Sequence, residues 1–571
     1  RDIKSEVQLE KLQFYAEASL LAAKNDDCKG FDTDIVNELV ENMDFKALEA
    51  ELDKPYHEPV LLDFMFCLIN KITYTDNKVD GLSKPNNEKI AKWFSNAKRI
   101  GEPSVNGTVL DTNFGEIPHS IIIKYPKRRG ATKDSVSEGD RGNTHELFVG
   151  IFGTNNLKRK VPNFAPILGG MKCSIPIENK DKTVDSLCSS NNDLVSFIIY
   201  RRIMGKELSK IVGYSTIDEF SSLFLQLALA SQIGYEEIDF SHDDEHSDNV
   251  IADPIKGVKS LAKSTTYIPY DLGNEKTVYV RASHVATIID FGESTIKYSG
   301  TVYGIYGQRE HLDIPNNRAR PLYDMFKILG FCLYDMAVSK NPIFEQAKTY
   351  YSFFVENFPK EFKKVFKVDS LDKLTPKVVM KERDTFYIFP LVSEVDDTRI
   401  DEFVKSLLNN EFMKGIFKTT LDEKDEIYGC GDSCLTKTGL LNELRVKRSG
   451  GAEVDNVFLN VKDMHHKLIM SIGSKIPKEH EKVVAQASKE MARIVKLTLA
   501  NLNHIKKRIG EELNAPKLKV VLIYRFIDLF ERKLELLKSC VAFVSYKGKV
   551  TYPNIDIEYA KFDRLLDKMK K

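Results

Sequence analysis

Neither sign of charge is in surplus in this chain: Lys and Arg together number 83, Asp and Glu together number 83, and the formal net charge is zero. A general polyanion binder needs a basic excess, so no nucleic-acid partner is expected. Long apolar runs are missing too, as is the charged-then-apolar leader of a secretory signal, and no membrane span is expected. Cysteine is sparse and scattered, at Cys28, Cys67, Cys173, Cys188, Cys332, Cys430, Cys434 and Cys540. That pattern predicts reduced thiols and a cytoplasmic setting. The close pair Cys430 and Cys434 falls short of the usual four zinc ligands unless His465 and His466 join it, and an ordinary loop is the plainer reading. No internal repeat or low-complexity tract stands out. Length is plentiful, since 571 residues can hold several domains around a sizeable core.

Chemistry concentrates in His242-Asp243-Asp244-Glu245-His246-Ser247-Asp248-Asn249 and, downstream, Asp290-Phe291-Gly292. Phosphoryl transfer needs a carboxylate to take the proton of the attacking hydroxyl, and oxygen ligands for a divalent cation on the phosphates. Asp244 and Asn249 have the spacing of such a base and its amide partner, and Asp290 follows the apolar strand Val285 to Ile289. A turn followed by a helix cap would account for either motif taken alone.

Two further parts lie upstream. Ser120-Ile121-Ile122-Ile123-Lys124 reads as a strand ending in a lysine able to reach phosphates, and Glu146 is the candidate carboxylate to hold it from the next helix. The plain readings are an exposed strand lysine and a helix-surface acid. Ahead of them, Gly101 to Val109 resembles a phosphate loop, where glycines let backbone N–H groups approach oxygen. Gly107 and Val109 fit its end. Gly101 fits a surface turn equally well, because the middle glycine is absent and the span carries Pro103.

Together these motifs resemble a divergent protein-kinase-like family, similar to the serine/threonine kinases of large cytoplasmic DNA viruses. Longer stretches carry the narrower likeness: Glu146 to Asn155, Val161 to Phe164, Phe240 to His242, and Arg320 to Leu329. The resemblance covers roughly residues 98 to 345. It implies an α+β, bilobal kinase-like fold with a small β-rich lobe, a larger helical lobe and helical N- and C-terminal extensions. It implies ATP and Mg2+ as cofactors, and a protein serine or threonine hydroxyl as acceptor. Asp244 would be the base; Asn249 and Asp290 would hold the metal; Lys124, Glu146, Gly101, Gly107 and Val109 would cradle the nucleotide. A viral kinase would work in the host cytoplasm or the virion.

Departures from the family pattern keep other readings open. Asp243 replaces the familiar arginine, which removes the residue that normally grips a phosphorylated activation loop. No A-P-E follows Gly292. His246 stands where protein serine kinases prefer lysine and many small-molecule kinases carry histidine, so an aminoglycoside- or choline-type kinase is the alternative, with a pseudokinase scaffold as the third. Asp324, opening an apolar helix, resembles the aspartate that braces the catalytic loop.

The layout expected is a helical extension and linker over 1–97, a small lobe over 98–200, a large lobe over 201–358 with an insertion at 252–284, and a mostly helical region over 359–571. The insertion predicts strands near Thr266 to Tyr270 and Thr277 to Arg281 around a turn at Gly273. Residues Ile217 to Tyr235 predict a buried central helix. Helices are expected over Val7 to Ala23, Asp34 to Leu52 and Glu58 to Ile72, with a polar linker over Thr75 to Lys89. Apolar residues from Val484 to Ile509 recur every three or four positions, and Pro516 opens another helix to about Ser539. The two would form a hairpin that packs on the kinase or docks a helical partner.

Overall fold

In this computed structural model the described residues are 58–429, apart from 80–81, 102–106, 116, 127–132, 159, 190–193, 274–275, 299, 305–318 and 387–398, together with Cys28, Phe31 and Val36. They fall in a single compact unit. The helices expected over Val7 to Ala23, Asp34 to Leu52 and beyond Val484, like Cys430, Cys434, His465 and His466, lie outside the described residues.

Apolar spacing over Glu58–Thr73 gives helix α1, with Phe64, Leu68 and Ile72 buried. The next segment departs from expectation. The polar stretch read as a linker forms a hairpin, β1 (Tyr74–Val79) and β2 (Leu82–Pro85), and then helix α2 (Asn87–Trp93), whose first turn is capped by the Asn86 side chain. In sequence, Asp80-Gly81 is a turn signal that suits a hairpin as well as a linker, and polarity alone does not tell them apart.

Strands β3 (Phe94–Ile100), β4 (Thr108–Phe114), β5 (Ile117–Tyr125), β6 (Ile167–Ser174) and β7 (Leu194–Arg201) make one antiparallel sheet in the order β3-β4-β5-β7-β6. Alternation sets its faces: Ile121 and Ile123 of β5 are buried on one side, and β-branched residues favour this pleated surface. Between β5 and β6 runs helix α3 (Lys133–Val149), extended by a wider turn over Gly150–Thr154 and the short α4 (Asn155–Leu157).

The rest is mainly helical. After β8 (Lys206–Glu207) and α5 (Leu208–Val212), helix α6 (Ile217–Ile238) begins at a capping box in which Thr216 and Glu219 satisfy each other's backbone N–H. Every residue from Phe220 to Gly234 is buried, so this is the helix around which the others pack. Strand β9 (Val250–Pro254) lies antiparallel to β12 (His284–Ile288), with the hairpin β10 (Thr266–Asp271) and β11 (Thr277–Arg281) between them. A short pair, β13 (Ile296–Tyr298) and β14 (Thr301–Tyr303), precedes helix α7 (Pro321–Ser339).

The apolar core continues beyond Phe358. Helices α8 (Phe344–Ala347), α9 (Ser352–Asn357), α10 (Pro359–Phe366), α11 (Pro376–Lys381) and α12 (Ile400–Leu408) supply Phe344, Phe354, Phe366, Val379 and Phe403 to the same cluster as Phe224 and Phe326. Two very short strands then close over the hairpin: β15 (Phe417–Lys418) pairs with β11, and β16 (Glu426–Ile427) pairs with β10. Among the described residues no helix is long and apolar enough to cross a membrane. The reduced-thiol expectation is corrected as well. Cys28 is bonded to Cys67 and Cys173 to Cys188, with Cα separations of 4.8 and 4.9 Å that suit a bridge. Pairings 39 and 15 residues apart left no spacing signal to read.

Candidate active site

The site forms where the five-stranded sheet, α3 and one end of the β9–β12 ladder, the end at which Val250 pairs with Ile288, meet. Lys124 lies near the end of β5, opposite Val109 in the register with β4. Its ammonium donates to Glu146 Oε2 and to Asp290 Oδ1, both at 2.7 Å. Chain segments 22 and 166 positions away thus converge on one nitrogen. Burial opposes the charge of Lys124, but the two carboxylates outweigh it and raise its pKa above the ordinary value.

The two carboxylates differ. Glu146 is 1 % exposed and burial raises its pKa despite Lys124. It also takes the Tyr200 hydroxyl as a donor. Asp290 is 29 % exposed; burial pushes its carboxyl up, yet Lys124 and its other donors hold it below the usual range. Glu146 therefore anchors the lysine, and Asp290 stays ionised with an open side. Asp290 also has a left-handed backbone, φ 63° and ψ 71°, a conformation that non-glycine residues hold mainly where function or packing demands it. Next to it Phe291 is fully buried, with its ring 6.2 to 6.4 Å from those of His242, Phe164 and Phe240.

The loop before β9 is fixed from beneath. Asp324, in the first turn of α7, accepts the N–H of His242 at 2.6 Å and that of Asp243 at 2.8 Å. His242 donates Nε2–H to the carbonyl of Ile289 at 2.9 Å and accepts the Asp244 N–H at Nδ1, a neutral tautomer that agrees with burial lowering its pKa. Asp243 is left-handed at φ 64°, and its Oδ2 accepts from the hydroxyls of Ser241 and Thr295. His246 accepts the N–H of Asp248 and so caps a short turn.

Asn249 donates Nδ2–H to the Asp244 carbonyl at 3.0 Å, which leaves its amide oxygen as the atom that can meet a cation. Its own carbonyl accepts the Ile289 N–H at 2.9 Å, and this ties it to the strand end that carries Asp290. One amide oxygen and one carboxylate suit a hard cation that keeps its waters and takes phosphate oxygens for the rest, as magnesium does. Among the described residues no group of three or more His, Cys, Asp or Glu could hold a metal.

Of the residues expected to form a nucleotide loop, Gly107 immediately precedes β4, where a Cβ would stand 2.6 Å from the Tyr125 carbonyl oxygen, so only glycine fits. Gly101 follows the last residue of β3 at φ 66° with open space around it, as in a turn. The stretch between them lies outside the described residues.

Two residues near Asp244 went unmarked in the sequence. Lys327, from α7, makes an ion pair with Asp244 Oδ1, although its side chain is 1 % exposed. Glu245 is fully buried, neither of its carboxyl oxygens has a hydrogen-bond partner, and burial pushes its pKa up to about 8. A lysine within Met325-Phe326-Lys327-Ile328-Leu329, one turn after Asp324, was the available signal, because positions three apart share a helix face.

No protein-family model matches the chain. It is 25 % identical over 250 residues to a curated protein named "Probable kinase 098L" from Invertebrate iridescent virus 3. The match takes in 44 % of this chain and 40 % of that relative's length. Across that segment the relationship is kinase-like, and the α+β architecture with its antiparallel sheets is compatible with it.

Proposed function

We propose that the chain is an ATP- and Mg2+-dependent phosphotransferase with a bilobal kinase fold, most simply a viral serine/threonine protein kinase acting in the host cytoplasm or the virion. The observation that carries the reading is the double contact of Lys124 with Glu146 and Asp290, directly beside the loop of Asp244 and Asn249. A structural ion pair on a strand would not require a left-handed aspartate followed by a buried Phe291. The relative's printed name supports the same reaction class.

In this reading the nucleotide lies beneath Gly107 and Val109, and the Lys124 ammonium orients its phosphates as a point charge. Asn249 and Asp290 would hold magnesium, which when bound neutralises charge on the β- and γ-phosphates. Asp244 accepts the proton of the acceptor hydroxyl as that oxygen bonds to the γ-phosphorus and the bond to the ADP oxygen breaks. Most of the acceleration comes from positioning and charge neutralisation.

Incubation with radiolabelled ATP, magnesium and mixed protein substrates tests the proposal. Label on serine or threonine is expected. Label confined to a small metabolite would favour the aminoglycoside- or choline-type alternative, a reading supported by His246 with its Nε2 3.7 Å from Asp244 Oδ2. Failure to bind ATP would leave the scaffold reading. Asp290→Asn should weaken magnesium-dependent nucleotide binding about tenfold, or ~1.4 kcal/mol; unchanged affinity would remove Asp290 from the metal site.

A further inference from the structure

We propose that Lys327 is a positioning residue of this centre, its ammonium fixing the Asp244 carboxylate so that Oδ2 is the oxygen offered to the acceptor hydroxyl. The inference rests on the phosphotransferase reading and adds a residue to it. The loop around Asp244 carries no cation of its own: its histidines are His242 and His246, and burial lowers the pKa of both. The positive charge comes instead from the helix beneath.

Helix α7 holds this end of the loop at two residues one turn apart, Asp324 and Lys327, and the far end at Asp335, which accepts the Ser247 hydroxyl at 2.6 Å. Asp324 holds the backbone at His242 and Asp243, and Lys327 holds the side chain of Asp244. The lysine is enclosed, with its ammonium 5.7 Å from the centre of the Tyr323 ring and almost no exposure. A long flexible side chain that is buried this way stays in one place, so its partner does too. Asp244 itself is 31 % exposed. With Oδ1 tied to Lys327, Oδ2 sits 3.7 Å from His246 Nε2. Glu245 completes the surroundings. It is buried beside Lys327, and protonation near neutral pH keeps it from competing with Asp244 for the ammonium.

A carboxylate that swings freely presents its two oxygens in many directions, and a misplaced base loses rate rather than substrate affinity. Lys327→Met should therefore lower kcat by ~100-fold in the whole chain, assayed with Mg-ATP and dephosphorylated casein, while KM for ATP stays within about threefold. Lys327→Arg should regain part of the loss, because the charge returns on a larger, planar group. Adding Lys327→Met to Asp244→Asn should cost little more than Asp244→Asn alone, since one residue acts through the other.

Wild-type kcat in folded Lys327→Met, or full additivity in the double variant, overturns the proposal. If Lys327→Met does not fold, Lys327→Arg decides: a kcat reduced at least about threefold at unchanged KM upholds it, and wild-type kcat overturns it. Wild-type protein that transfers no phosphate overturns the phosphotransferase reading and this inference together, whereas an active wild type with indifferent Lys327 variants sinks the inference alone.

Discussion

Two buried lysines, one on a strand and one on a helix, border the same centre, and they are held differently. Lys124 is shared between two carboxylates, one nearly sealed and one partly open. Lys327 pairs with one partly exposed carboxylate, while the other acid beside it is pushed towards neutrality. The first arrangement fixes the ammonium and leaves its open partner, Asp290, available to a cation. The second fixes the carboxylate. Burial of an ion pair is weak evidence for stability, because desolvation offsets most of the attraction. What the two pairs share is control of orientation.

The sharpest way to break the comparison is at the carboxylate that Lys327 holds. Asp244→Asn should reduce phosphoryl transfer by ~10²–10⁴-fold while nucleotide binding persists, as turnover and ATP titration would report; equal turnover removes Asp244 as the base. Lys124→Met comes next. It strands Glu146 and Asp290 without their cation, so thermal unfolding should show a loss of about 3 kcal/mol together with weaker ATP binding. That binding defect is what Lys327→Met should lack.

Beside the second lysine, Glu245 makes the comparison depend on pH. Its folded pKa of about 8 lies above the ordinary 4.5, so the folded state holds a proton that the unfolded state releases between those values. Stability from this group is therefore present at low pH, falls as pH rises through that window and levels off above it. Glu245→Gln should match wild type near the lower end and exceed it by a few kcal/mol above the upper end. Parallel melting curves across that range would show that the carboxyl is not buried next to Lys327. The smallest effect belongs to Tyr200→Phe, which removes one donor from Glu146 and should cost ~1 kcal/mol in unfolding free energy; no change would mean that Lys124 alone satisfies Glu146.

Much of the Lys124 side could be read from sequence, because its parts are local. The strands leading to Lys124 and Asp290 are short apolar runs, and the helix carrying Glu146 follows from the resemblance to the kinase pattern. The central helix was equally legible from its apolar run. Lys327 was harder to read, since its one signal is its place a turn after Asp324, and an apolar helix does not otherwise tell a lysine that meets a loop 83 residues away from one that reaches solvent. The Asn86-capped helix and the hairpin before it were hidden by polar composition. The cysteine pairs were hidden by scattered spacing. Strands of two residues, such as β15 and β16, carry no pattern, because pairing across a long separation leaves no local trace.

Those two strands also bear on how the chain is made. They cover the outer edges of the β10–β11 hairpin, yet they lie more than a hundred positions downstream of it. A polypeptide emerging from the ribosome completes the hairpin long before its covers exist, and exposed strand edges are templates for unwanted pairing. The final closure of this sheet therefore depends on a late, non-local search, the slow kind of step in folding. Truncation before Phe417 would leave a chain that contains every residue of the proposed phosphotransfer site and still carries an open, aggregation-prone edge.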